Sequence, residues 1–138
     1  MRNLFAVCFA LMFSLSAEAS RDPVPMSNFE NVSLEAPSGK ALGMSDIRTA
    51  IVRAASKQAW TLVDAAPGKL TATLNVNGKH MVIVDIVYSV EKFSVIYVDS
   101  MGIKAGVHEG VPVIHPSYNR WLQNLVNGIR LEAASSRI

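Results

Sequence analysis

The chain has almost no sulfur chemistry at its disposal. Its one cysteine, Cys8, sits inside an apolar run from Leu4 to Leu15 near the N-terminus. If that run is a leader removed on export, no thiol remains. Disulfides, thiolate catalysis and cysteine metal sites are then excluded, even in a compartment that permits disulfides. An excess of one charge is also missing: 13 Lys and Arg stand against 11 Asp and Glu, for a formal net charge of +2. There is no basic stripe, no run of like charges and no interleaving of aromatic with basic residues, so a nucleic-acid partner is not expected. No two of the three histidines, His80, His108 and His115, are three or four residues apart, the spacing by which two ligands on a helix reach one metal. A zinc site needs three or four ligands converging on a point, and neither a metal nor any other cofactor is expected. Catalytic patterns are equally scarce. Ser89, Ser94 and Ser100 lie in no nucleophile elbow, and the glycines from Gly102 to Gly110 match no phosphate cradle. Asp85 and Asp99 lie on different strands with no reason to meet.

What is present first is an export signal. Arg2, the apolar run, and then Ala17-Glu18-Ala19 have the three-part form of a secretory leader, with cleavage expected after Ala19 and Ser20 as the first mature residue. The apolar run is short for a membrane span of roughly 20 residues. A periplasmic or secreted location follows as the expectation, with no transmembrane segment after cleavage. The remainder suffices for one core and one domain. Residues 20–43, with Pro23, Pro25, Pro37, Ser38 and Gly39, read as a flexible, exposed N-terminal arm. Phe29 and Val32 leave open an edge strand or docking on the domain. The domain itself is expected over residues 44–138.

Within it, Ser45 to Gln58 is expected to be a helix with Ser45 as its N-cap, and Ile47, Ile51, Ala54 and Ala55 form its apolar stripe. A short strand at Trp60–Asp64 precedes the Pro67-Gly68 turn. Leu70 to Leu74 alternates apolar and polar, the period of a half-buried strand. His80 to Tyr88 is nearly continuous apolar and β-branched, and Phe93, Val95 and Tyr97 alternate with their neighbours. Between the second and third strands stands Asn77-Gly78, a hairpin signal, because both residues tolerate positive φ. A two-residue turn sends Asp85 inward, whereas a three-residue turn with Gly78 as the bulge residue sends it outward. The second pairs Ala72 with Val82 and Leu70 with Val84, and it is favoured because an unpaired buried charge is costly. Asp99 to His115 reads as a long loop. Pro116 to about Ala134 is a second helix, with Tyr118, Trp121, Leu122, Leu125, Val126 and Ile129 on one face and a fraying tail from Ser135. The expected architecture is α+β: a two-layer α-β-β-β-β-α domain, a four-stranded antiparallel meander with both helices on one face.

The candidate binding residues follow from that arrangement. Met81, Ile83 and Asp85, beside Thr71 and Thr73, face away from the helices, and two large apolar side chains are unusual on a face open to water. His108 and His115 belong to the loop that leads into the second helix. Asn119, polar at the margin of an apolar stripe, is placed to hold that loop against the helix. Trp60, Tyr118 and Trp121 suit a ligand platform in principle, but aromatics at helical spacing more often form core.

The ordered set Ile47-Arg48-x-Ala50-Ile51, Trp60, Pro67-Gly68, His80, Val84-Asp85-Ile86, Tyr88, Tyr97 and Ile114-His115-Pro116-x-Tyr118-Asn119-x-Trp121 resembles a family of small uncharacterised Gram-negative envelope proteins and lipoproteins. The resemblance implies a periplasmic or outer-membrane setting and brings no activity. This chain differs from lipidated members in having no lipobox cysteine. The leading expectation is a non-enzymatic interaction module for an envelope protein or cell-surface component. A small-ligand or metal-dependent enzyme using His80, His108, His115 and Asp85 is one alternative. A self-associating structural protein, with homodimers formed through the outer sheet or an edge strand, is the other.

Overall fold

A computed structural model describes residues 21–35 and 39–138. The leader expected at 1–19, the cleavage position before Ser20, and Pro37 and Ser38 of the arm lie outside the described residues. The elements run β1 (Val24–Pro25), β2 (Phe29–Ser33), α1 (Met44–Lys57), β3 (Trp60–Ala66), β4 (Lys69–Val76), β5 (His80–Tyr88), β6 (Lys92–Met101), β7 (Gly106–His108), β8 (Val111–Ile114) and α2 (Pro116–Ser136). They form two antiparallel sheets, one of five strands in the order β2-β6-β5-β4-β3 and one of three in the order β1-β8-β7. The class is α+β, but a single four-stranded meander between two helices is not what forms.

The extra strands come from the two segments read as arm and loop. Phe29 pairs with Val95 and Val32 with Phe93, and the register shifts between the two pairs around Asn31 at φ 52°. That bulge turns Phe29 and Val32 onto one face although they are three residues apart, so no period-2 pattern marks the strand. The arm therefore supplies both β1 and the edge strand β2. In the expected loop, Glu109 and Gly110 take φ of 51° and 78°, and His108 pairs with Val111 across them. Two successive positive φ values in a two-residue connection make a tight hairpin. Pro25 and Pro112 lie inside β1 and β8, where a missing N–H normally argues against a strand.

The hairpin between β4 and β5 combines the two turns weighed above. Asn77 and Gly78 both have positive φ, the Lys79 N–H donates to Val76 O, and Val76 then pairs with His80, which leaves Lys79 as an extra residue. Ala72 accordingly faces Val84 and Leu70 faces Ile86, two residues from the expected register. A shift of two preserves the faces. Leu70, Ala72, Val82, Val84 and Ile86 are buried, and Asp85 points outward opposite Thr71.

The inner face of the five-stranded sheet and the apolar faces of α1 and α2 form one core. The N-cap of α1 is Gly43, not Ser45, and its N–H donates to Asp46 Oδ2. The helices approach closely at Gly128, where an added Cβ would lie 3.4 Å from Ala54 Cβ. Lys57 and Glu132 form an ion pair between them. The end of α2 is held rather than frayed: Arg137 donates from Nη2 to Leu34 O at 2.7 Å and from Nη1 to Lys40 O at 3.1 Å.

Candidate interaction surface

Strand alternation sends every second side chain of the five-stranded sheet away from the helices. On β4 these are Lys69, Thr71 and Thr73, on β5 Met81, Ile83, Asp85 and Val87, and Ile96 faces Asp85 from β6. No helix covers this side among the described residues. Ile96 is 46 % exposed, Val98 48 % and Met101 56 %, while Met81 and Ile83 are half-buried by their neighbours. The expected trio Met81, Ile83 and Asp85 is thus brought together. Sequence reading passed over Ile96, Val98 and Met101 as part of the same surface. The alternation of β6 was legible to Tyr97, but the register shift between the Ile83 and Val84 pairs decides where the later residues point.

Asp85 is the polar centre of the face. Its Oδ1 accepts the Thr71 hydroxyl at 2.8 Å, and Lys69 Nζ lies 3.4 Å from Oδ2. With 20 % of its side chain exposed, the carboxylate keeps a hydrogen bond and an ion pair while it is largely covered. The charge is therefore compensated in place, which leaves the surrounding apolar side chains as the feature open to a partner. Asp99 is closer than expected: it stands opposite Ile83, two positions along β5 from Asp85. The two carboxylates are engaged separately, since Asp99 Oδ1 accepts the Ser100 N–H at 2.8 Å.

The other expected site residues lie on other elements. His108 is exposed on β7, with Nε2 3.9 Å from Glu109 Oε1. His115 is the N-cap of α2: its Nδ1 accepts the Ser117 N–H at 3.0 Å, and its own N–H donates to Ile103 O. His80 Nδ1 lies 2.8 Å from Gly102 O, where the start of β5 meets the turn after β6. Among the described residues no group of three or more His, Cys, Asp or Glu side chains could hold a metal ion. Asn119 holds the N-terminal arm, not the segment before α2. Its Oδ1 accepts the Ser27 N–H at 2.8 Å and its Nδ2 donates to Pro25 O at 3.0 Å.

Trp60 and Tyr118 are core, and Trp121 packs partly buried against it. The Tyr97 and Tyr118 rings meet edge to face, with centroids 5.9 Å apart. Burial, and then the neighbouring Tyr97, push the Tyr118 phenol above its ordinary range. On the sheet edge, a two-pronged hydrogen bond from Arg48 holds the Asp64 carboxyl below its ordinary range, and Asp64 raises the Arg48 guanidinium in return. Two hollows border Arg137: one lined by Ser33, Leu34 and Arg130 measures about 110 Å³, and a shallower one lined by Glu35, Leu42 and Val90 about 320 Å³, the larger only at the roughly 300 Å³ where ligand pockets begin.

Fold and surface together define a small α+β domain with one sheet face covered by helices and the other, among the described residues, open. Comparison with protein-family models, with curated proteins and with solved structures found no match.

Proposed function

We propose that the chain is an exported envelope module that holds another envelope protein or cell-surface component on the open face of its five-stranded sheet, without chemistry of its own. The observation that supports this is the set of apolar side chains on the open face: Ile83 and Ile96 beside the compensated Asp85, with Val98 and Met101 further along β6. Exposed apolar side chains grouped on one sheet face are a common mark of an interaction site. The exported setting belongs to the same proposal and rests on the leader pattern of Met1–Ala19 and on the resemblance to Gram-negative envelope proteins.

The test is crosslinking in cells that export the protein under its own leader, read by mass spectrometry. Ile83→Lys with Ile96→Lys places two charges on the open face without touching the core. It should abolish a reproducible crosslink at a cost in melting temperature well short of unfolding, since Ile96 is exposed and Ile83 half-buried outside the core. His108→Ala should retain the crosslink. An unchanged set of crosslinked envelope components in the double variant would refute the proposal. So would a collapse of stability, which would make that face core. N-terminal sequencing of the exported protein should begin at Ser20.

A further inference from the structure

The five-stranded sheet ends on two unlike edges. At one end β2 is guarded: it is short, it is broken by the bulge at Asn31, and it presents Glu30 to solvent. At the other end β3 runs for seven residues, Trp60–Ala66, and among the described residues no strand pairs with its outer side. Its register with β4 is regular from Trp60 to Asp64 and shifts only after Asp64. That five-residue run contains no proline, no lysine and no bulge, the devices by which natural sheets protect an open edge. Thr61 and Val63 are β-branched and suited to a strand, and Val63 is 64 % exposed. The one charge of the run, Asp64, is bound by Arg48 of α1 at 2.7 Å, so it does not guard the edge with a net charge.

We infer that β3 pairs antiparallel with β3 of a second copy of this chain, joining two five-stranded sheets into one of ten strands. A second copy is the occupant because the run is complementary to itself. A two-fold axis through Leu62 sets Leu62 against Leu62 of the partner subunit on the helix side, and Thr61 against Val63 of the partner subunit on the open side. Both are apolar or β-branched cross-strand pairs of the kind that stabilise sheets. Each Asp64 keeps its own Arg48, so like charges do not meet unpaired. A two-fold contact of this kind closes after two chains and does not propagate into a filament. This pairing uses the edge, and it stands whether or not the open face binds an envelope component.

The test is the mass in solution, by light scattering across a dilution series, of protein purified after export. The wild type should run at twice the chain mass. T61K/V63K sets lysine opposite lysine across both outer pairs and should run as a single chain. T61K/V63E sets lysine opposite glutamate in the Leu62-centred register and should restore the doubled mass. Circular dichroism of both variants should match the wild type, because the two positions are exposed. A wild type that stays at single mass throughout would overturn the inference. A doubled mass that persists in T61K/V63K would do so too, by placing the contact elsewhere, and a single mass for T61K/V63E would overturn the register. The Ile83→Lys with Ile96→Lys variant should keep the doubled mass, which separates failure of this inference from failure of the open-face proposal.

Discussion

Replacing Asn119 by alanine should release the N-terminal arm without unfolding the domain. The side chain makes two hydrogen bonds to the arm, accepting from Ser27 N–H at 2.8 Å and donating to Pro25 O at 3.0 Å. Each such bond contributes about 1 kcal/mol net. Their joint loss of about 2 kcal/mol corresponds to roughly a 30-fold rise in local opening. Pro25 is exposed, so water restores part of what is lost on that side and the figure is an upper bound. The segment before β2 then keeps the pairing of Val24 and Pro25 with β8, the Met26 N–H bonded to Pro112 O and the bond from Lys104 Nζ to Arg21 O, while β2 stays paired with β6. Native-state hydrogen exchange reads this directly. The Met26 and Ser27 amides should exchange up to about 30-fold faster, while Val84 and Ile86 in β5 keep their protection, because arm opening is sub-global. Asn119→Asp keeps an acceptor for Ser27 but faces Pro25 O with a second oxygen, so it should fall between alanine and wild type. The reasoning is refuted if Met26 and Ser27 are unchanged. It is refuted equally if the β5 amides accelerate in step with them, since the arm would then not be a separable unit.

Further outcomes follow from single contacts. Gly102→Ala should cost at least about 2 kcal/mol by urea denaturation: the residue sits at φ +76°, and a Cβ there would lie 2.2 Å from Lys79 O, whereas left-handed strain alone costs about 1–3 kcal/mol. The Arg48–Asp64 pair sets an acid dependence. Because the folded carboxyl lies below its unfolded value, its contribution is present above the unfolded value and is lost as pH falls through the folded one. Asp64→Asn should therefore melt below wild type at neutral pH, with the difference closing in acid. A difference that is constant across the acidic range would assign the pair no linked role. The pair is exposed, so salt should shrink the difference as well.

Much of the inner architecture was legible because it is written in local periodicity. The alternation of Leu70, Ala72 and Leu74 and the helical stripes Ile47-Ile51-Ala54 and Leu122-Leu125-Ile129 name the core almost residue by residue. Asn77-Gly78 announced the hairpin, and its cost argument sent Asp85 to the outer face. Even so, the register was two residues off, since only the folded turn shows that Lys79 is left unpaired. Of the candidate residues, Met81, Ile83 and Asp85 fall together on one sheet face, whereas His108, His115 and Asn119 lie on other elements, a grouping that spacing along the chain does not show.

What the sequence determined by itself is the set of faces, because a side chain's direction along a helix or strand depends only on its neighbours a few positions away. What tertiary structure decided is how far the sheets extend. The strands β1, β2, β7 and β8 are only two to five residues long. Two of them contain proline and one contains a bulge, so none has enough local preference to be read from sequence alone. They form because β6, Asn119 and one another supply hydrogen bonds that exist only after the chain has folded. The open face is decided the same way: apolar side chains at Ile83 and Ile96 suit a covered face or an uncovered one equally, and only the placement of both helices on the opposite side decides between the two.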